Sequence, residues 1–263
     1  MLVVVTTPLR PSTAEERAAR EAAGRLDLPY APRHHAPLPA VLAGAGAGGA
    51  LVLSATAATL CARGATRRWS AGMGLIRMKR TLARLAGRPV SPTDRDPFLE
   101  AAGLLPGDEV LDATLGLGAD ALVAAAACGP AGRVVALEAS RPLAAWVAEG
   151  LRRLGAEPAR RIEVRAGDHL EALAALPDRS FDVVAFDPMF RHARAEPGGF
   201  DLVRALADAR PLRAEALVEA RRVARRWVLV KDGAPGWDLA RLGLTPLASA
   251  RGAHRYYARI EAG

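Results

Sequence analysis

The sequence predicts an α/β protein. Its larger part reads as a doubly wound parallel sheet with a C-terminal antiparallel strand pair, preceded by a small N-terminal α+β module. Three observations predict this. From Pro97 onward, short apolar runs alternate with helical segments, the pattern of parallel strands buried on both faces. The first of these runs enters a glycine-containing turn that opens a helix, which is where open α/β sheets bind nucleotides. The last two strand-like runs have no long helix between them, as an antiparallel pair requires.

The elements follow in order. Leu2–Thr6 is a β-rich run. Ser12-Thr13 offers a helix cap, and Ala14 to Leu26 places Glu in the first turn and Arg later, as the helix dipole favours. Pro29 and Pro32 end that helix. Residues 44–49 form a Gly-rich turn, and Leu51–Ser54 with Ala58–Ala62 read as a hairpin. The arginine-rich stretch from Arg63 to Arg88 reads as partly helical. Asp94-Arg95-Asp96-Pro97 then separates a module of residues 1–95 from a domain of residues 96–263. In that domain Glu109–Asp112, Arg133–Glu138, Arg161–Arg165, Phe181–Phe186 and Trp227–Lys231 read as strands. Gly118–Cys128, Pro142–Leu154, His169–Leu176, Phe200–Ala207 and Pro211–Ala220 read as the intervening helices. Leu242–Ala248 and His254–Ile260 form the closing pair, with His254, Tyr256 and Tyr257 packed on the sheet.

Composition narrows the class. At 263 residues the chain holds one to two domains of ~150 residues each. With 51% apolar and 24% charged residues it is globular, and with 5% aromatics its core rests on Ala, Leu and Val. Two cysteines, Cys61 and Cys128, exclude a disulfide framework and a four-cysteine zinc site. Cys128, in an Ala-rich run, reads as a small buried hydrophobe. His34-His35 has no Cys or carboxylate at ligand spacing, so no metal is expected. Residues 40–62 carry no charge and are long enough to cross a bilayer, but Ala and Gly interrupted by Ser54, Thr56 and Thr59 make a poor helix. The start lacks the basic region of a signal peptide, so the expectation is a cytoplasmic protein without a membrane partner. Gly-x-Ser-x-Gly, Walker A and Cys-x-x-Cys motifs are all missing, which removes support for hydrolase, NTPase and thiol-redox chemistry.

Charge points to a partner. The net charge is +8, and Lys79 and Lys231 are the sole lysines in an arginine-rich chain, as a GC-rich genome produces. Residues 1–95 carry 14 basic and 5 acidic residues, whereas the remainder is close to neutral. Such a footprint suits a polyanion such as RNA, with Arg67, Arg68, Arg77, Arg80 and Arg84 as phosphate contacts. A solvated arginine surface set by codon usage is the alternative. Lys231 ends a buried strand near the catalytic edge, where it serves either a phosphate or base contact or the strand end itself.

The chemistry lies after the first strand of the large domain. Gly116-x-Gly118-x-x-Ala121 matches a dinucleotide fingerprint, with Glu138 twenty residues after Gly118, so a nicotinamide or flavin site is one reading. Two details favour S-adenosylmethionine (SAM). Asp112 ends the strand, and three residues separate it from Gly116, a longer loop bearing a carboxylate. The fourth strand ends in Asp187-Pro188-Met189-Phe190, the Asp-Pro-x-aromatic pattern of methyltransferases that act on exocyclic base amines. The Asp187 side chain and the Pro188 carbonyl accept from the amine, Phe190 stacks on the base, and proline stiffens the turn. Glu138 is placed for the ribose hydroxyls. Asp168 serves either the adenine amino group or the N-cap of the following helix.

These residues resemble the small-subunit ribosomal RNA methyltransferase J family and its uncharacterised Gram-positive relatives. The likeness rests on Asp112-Ala-Thr-x-Gly116-Leu-Gly118-x-Asp120-Ala, Glu138, Asp187-Pro188-Met189-Phe190 and Trp227-Val-Leu-Val-Lys231. The opening Val-Val-Thr-Thr and Leu-Pro-Tyr30-x-Pro-Arg33 extend it over nearly the whole chain. The resemblance implies a class I, Rossmann-like methyltransferase fold and methyl transfer from SAM to guanine N2 of small-subunit rRNA. By motif it implies cofactor contacts at Ala119, Asp120, Glu138, Ala139, Asp168, His169 and Asp187, beside Asp112, Gly116 and Gly118. Ala119 and Arg191 depart from the family, whose characterised members carry Arg and Pro there, which leaves the target nucleotide open. Two other classes stand beside this one: an NAD-dependent oxidoreductase, and an RNA-binding protein that keeps the fold without activity.

Overall fold

A computed structural model describes residues 1–89, 91, 95–188, 201–247 and 255–263. The front of the chain builds β1 (Val3–Thr6), α1 (Thr13–Leu26), α2 (Leu38–Gly44), β2 (Gly49–Leu53), β3 (Ala58–Ala62), β4 (Ala65–Arg68) and α3 (Met73–Leu85). Ser12 caps α1, and Glu15 returns the bond to the Ser12 backbone at 2.9 Å, a reciprocal capping box. Strands β1 to β4 form one sheet in that order, with β1 parallel to β2 and the rest antiparallel. The expected hairpin is therefore present as β2–β3.

The larger part follows as α4 (Pro97–Ala102), β5 (Glu109–Asp112), α5 (Ala119–Cys128), β6 (Arg133–Glu138), α6 (Arg141–Leu154), β7 (Ile162–Ala166), α7 (His169–Ala175) and β8 (Phe181–Phe186). Next come α8 (Asp201–Leu206), α9 (Ala214–Val223), β9 (Ala224–Gly233), α10 (Trp237–Arg241) and β10 (Arg255–Glu261). The second sheet runs β10-β9-β8-β5-β6-β7, parallel except for β10. Valine and leucine fill its strands: Val110, Leu111, Val134, Val135, Val183 and Val184 are all buried. The chain winds outward from β5 through β6 to β7, then returns to β8 on the other side of β5. That reversal opens a crevice at the carboxyl ends of β5 and β8, where such sheets bind ligands.

The arginine-rich stretch is partly helical as expected, in α3, and the structure adds to or corrects the sequence reading in three places. Residues 65–68 form β4, an edge strand placed before that helix. Residues 38–44 are helical, ahead of the glycine turn. The run from Leu242 to Leu247 is not a strand: Gly243 turns with φ 69° after α10, and Leu247 donates one backbone bond, 2.7 Å, to the Tyr257 carbonyl. The antiparallel partner of β10 is β9. Ala248, His254, Phe200 and Asp94 lie outside the described residues.

The two sheets share one core. Leu51 and Leu60 of the front sheet join Leu122, Trp146 and Val147 of the larger part in a single buried cluster. The Trp146 indole N–H donates to the Ala58 carbonyl at 3.0 Å. Helix α3 lies across α5 so closely that a Cβ on Gly74 would come within 2.6 Å of the Ala119 Cα. Among the described residues, no helix is long and apolar enough to cross a membrane.

Candidate active site

The crevice is built from strand ends. Asp112 closes β5, and its Oδ1 accepts the Thr114 N–H at 3.1 Å, which starts the turn. Gly116 and Gly118 carry the turn at φ 54° and 80°, and beside Gly116 there is open space where a side chain would stand. Glu138 closes β6. Its two oxygens accept the N–H groups of Gly116 (3.2 Å) and Ser140 (2.9 Å), so the carboxylate is fixed at the mouth of the turn. Each oxygen keeps lone pairs for a ligand hydroxyl.

Asp187 and Pro188 lie directly after β8. The Asp187 N–H donates to Thr114 Oγ1 at 2.6 Å, tying the two loops together. The Asp187 carboxylate accepts from Lys231 Nζ at 2.5 Å, and the same ammonium donates to Asp120 at 2.9 Å. Asp120 also accepts from Arg77 at 2.5 Å, and Arg77 grips Asp96 with two bonds of 2.7 and 2.9 Å. A chain of charge, Asp96–Arg77–Asp120–Lys231–Asp187, thus runs from α3 and α4 under the crevice to the end of β8.

These charges set proton affinities. Burial pushes the Asp112 carboxyl up to about 7, against the pull of the Thr114 N–H and with Asp120 and Asp187 adding to it. Burial also raises Glu138. Burial pushes the Asp187 carboxyl above the usual range, opposed by Lys231 and reinforced by Asp120. For Asp120 burial acts in the same upward sense, but Lys231 and Arg77 outweigh it and hold the carboxyl low. The two carboxylates in turn keep Lys231 charged despite its burial.

The predicted site residues gather unevenly. Asp112, Gly116, Gly118, Glu138 and Asp187 meet in the crevice, with Ala139 exposed beside Glu138 and Ala119 and Asp120 at the start of α5. Ala119 is half-exposed and packs so close to α3 that a side chain at Gly74 would meet its Cα and Cβ. Asp168 caps α7 by accepting the Leu170 N–H at 2.8 Å, and its other oxygen accepts from Arg210 at 2.5 Å. His169 stands edge-on to Phe186 with ring centroids 5.6 Å apart. Met189, Phe190 and Arg191 lie outside the described residues. Arg77 and Lys231, read from the sequence as phosphate contacts, spend their bonds on carboxylates. Arg67 and Arg68 lie on the edge strand β4, whereas Arg80 and Arg84 follow Arg77 along α3.

Sequence reasoning missed Thr114, Asp96 and Arg210. Thr114 carried a signal, since it falls between the strand-ending carboxylate and the first glycine. The pairing of Asp96 with Arg77 across nineteen residues had none.

Comparison with known proteins agrees with this geometry. Residues 86–240 match the family described as "Putative SAM-dependent methyltransferase". The Bacillus subtilis (strain 168) protein YpiP, described as uncharacterized, is 34% identical over 235 residues, 87% of this chain and 88% of its own. A crystal structure of the SAM-dependent methyltransferase NGO1261 from Neisseria gonorrhoeae is 21% identical, covers 98% of this chain and 95% of its own, and superposes with a TM-score of 0.62. That likeness shows a shared fold. With the family matched over more than half its length, the chain belongs to the SAM-dependent methyltransferases.

Proposed function

We propose that this SAM-dependent methyltransferase acts on an exocyclic base amine, guanine N2 of small-subunit ribosomal RNA, as a cytoplasmic enzyme of the small-subunit methyltransferase J type. The carrying observation is the placement of Asp187, whose N–H donates to Thr114 and whose carboxylate accepts from Lys231, with Pro188 next in the chain beside the crevice of Asp112, Gly116 and Glu138. Family membership selects SAM over the nicotinamide alternative.

The residues present fit SAM. Glu138 offers a fixed acceptor for two ribose hydroxyls, the glycine turn leaves open space for close approach, and the buried Asp112 favours a cation nearby. When bound, SAM supplies a methyl group activated on a sulfonium. This chain then has to position the amine in line and hold its protons. The Asp187 carboxylate accepts one amine N–H and the Pro188 carbonyl accepts the other, while Phe190 stacks on the base. Lys231 fixes the carboxylate rotamer. Because burial raises Asp187, it also takes up the proton that the methylated nitrogen sheds, and no strong base is needed. In this reading Arg67, Arg68, Arg80 and Arg84 contribute to the grip on the phosphate backbone, and residues 1–95 act as the RNA-facing module ahead of the catalytic domain of residues 96–263. Such contacts position the substrate without reading its sequence.

The test is transfer of labelled methyl from SAM to small ribosomal subunits from a deletion strain, followed by mapping of the product. A single N2-methylguanine that is missing in the deletion strain is expected. Label on another base, on protein only, or nowhere would overturn the assignment.

A further inference from the structure

Asp120 uses its two oxygens separately. Oδ1 accepts from Arg77 at 2.5 Å, and Oδ2 accepts from Lys231 at 2.9 Å. Lys231 in turn divides its ammonium between Asp120 and Asp187. The Lys231 and Asp120 side chains are 10% and 11% exposed, so water and salt screen this pair weakly. The far end of the network is anchored. Asp96 takes the Arg77 guanidinium in a two-bond fork, and its Oδ1 also accepts the Phe98 and Leu99 N–H groups at the start of α4. Arg77 is thus held in one orientation, with its remaining Nη1 turned to Asp120.

Two carboxylates compete for one ammonium. Asp120 has a second cation in Arg77, bonded to it directly. Among the described residues, the other groups whose charge is felt at Asp187 are Asp112 of β5, Asp120 of α5, and Arg255 and Tyr257 of β10. Burial acts upward on both carboxyls, but the two cations hold Asp120 low while Asp187 is raised. Loss of Arg77 would give Asp120 a full claim on Lys231. Asp187 would then lose the ammonium that orients it and would take up a proton at higher pH. A protonated carboxyl offers the amine one fewer acceptor and no negative charge.

We propose that Arg77, anchored by Asp96, is a positioning residue for the acceptor carboxylate: by engaging Asp120 it keeps the Lys231 ammonium on Asp187, so that α3 and α4 complete the end of β8. Arg77 acts through Asp120 and Lys231. The consequence for methyl transfer rests on the reading of Asp187 as the group that holds the amine; the consequence for the ionisation of Asp187 does not.

The experiment compares the full-length chain with its Arg77→Met, Arg77→Lys and Asp120→Asn variants over a range of pH. Aspartate carboxyl carbons are labelled with carbon-13, and the signal missing from Asp187→Asn reports the ionisation of Asp187 without substrate. Single-turnover methyl transfer to small ribosomal subunits is followed at saturating SAM. Arg77→Met is expected to raise the midpoint of the Asp187 signal, and the acid limb of the rate with it, by about one pH unit. The rate then falls about tenfold on that limb and recovers at high pH. Asp120→Asn removes the competing carboxylate and is expected to move both midpoints downward. Arg77→Lys keeps the charge and is expected to restore the wild-type midpoint.

A rate lowered equally at every pH, with the Asp187 midpoint unmoved, would make Arg77 merely structural and overturn the proposal. Movement of Arg77→Met and Asp120→Asn in the same direction would overturn it too. Should Arg77→Met fold poorly, Asp120→Asn, a change of nearly equal shape, decides alone: a midpoint that does not fall overturns the proposal. If the carbon signals move as stated while Asp187→Ala retains transfer, the reading of Asp187 fails and its control by Arg77 stands. If Asp187→Ala abolishes transfer and no signal moves, the reading of Asp187 stands and the role of Arg77 fails.

Discussion

Asp112 places a carboxylate where folding would prefer none. Its carboxyl is pushed up to about 7 from an ordinary 3.8, so between those values the folded protein keeps a proton that the unfolded chain has released. This group's contribution to stability therefore rises as pH falls from 7 toward 4, and is most unfavourable above 7. Asp112→Asn, which can still accept the Thr114 N–H, should raise the melting temperature at pH 8 and change it little near pH 4. Equal shifts at both pH values would contradict the buried charge. A bound cation favours the ionised form, so SAM affinity of the wild type should fall below pH 7, approaching tenfold per pH unit for one linked proton. Calorimetry in buffers of different ionisation enthalpy should show proton release on binding near pH 7.

Glu138 is held from two sides by backbone N–H groups, which leaves its remaining lone pairs aimed at the crevice. Glu138→Ala should weaken SAM binding by ~1–3 kcal/mol, since ligand hydroxyls lose a charged acceptor. Unchanged affinity by calorimetry would remove Glu138 from the ribose role.

At the scale of elements, the crossing of α3 over α5 decides whether the charge chain forms. Gly74 sits where a Cβ would meet the Ala119 backbone, and Arg77 lies one turn further along α3. Gly74→Val should push the helices apart, lower stability by ~1–3 kcal/mol through overpacking, and loosen Arg77 from Asp120. Denaturant titration reads the first effect. A stability equal to wild type would mean that α3 is not seated on α5.

The parallel strands were legible in the sequence because their apolar runs are bounded by charge and glycine: β5, β6 and β8 fall on the residues expected of them. Strand β4 was not, because Ala65-Thr66-Arg67-Arg68 is exposed on an edge and has no apolar alternation. The strand expected from Leu242 to Ala248 was apolar enough, but the turn after α10 takes its first residues. The crevice was legible where glycines and strand-ending carboxylates carry it. The network under it was not, since its members lie 19, 43, 44 and 111 residues apart. Lys231 left one trace, as a lysine in a chain that otherwise uses arginine.

For the whole molecule, the shared core makes the front sheet and the larger sheet one cooperative unit. Trp146 of α6 bonds the Ala58 carbonyl, and α3 covers α5, whose Leu122, Val123 and Ala124 are buried. Unfolding should therefore give one transition, with coincident midpoints by far-UV circular dichroism and tryptophan fluorescence. Two separated transitions would show that residues 1–95 are held only loosely. The same arrangement brings the arginines of α3 next to the end of β8, so the front of the chain and the chemistry meet at one edge.

The central claim is that Asp187 holds the amine that receives the methyl group. It is tested most directly by single-turnover methyl transfer to small ribosomal subunits with Asp187→Ala, measured beside SAM and RNA affinity. The account predicts a loss of rate on the order of 100-fold, with cofactor and RNA still bound at close to wild-type affinity. Turnover near the wild-type rate, with SAM bound, would contradict it.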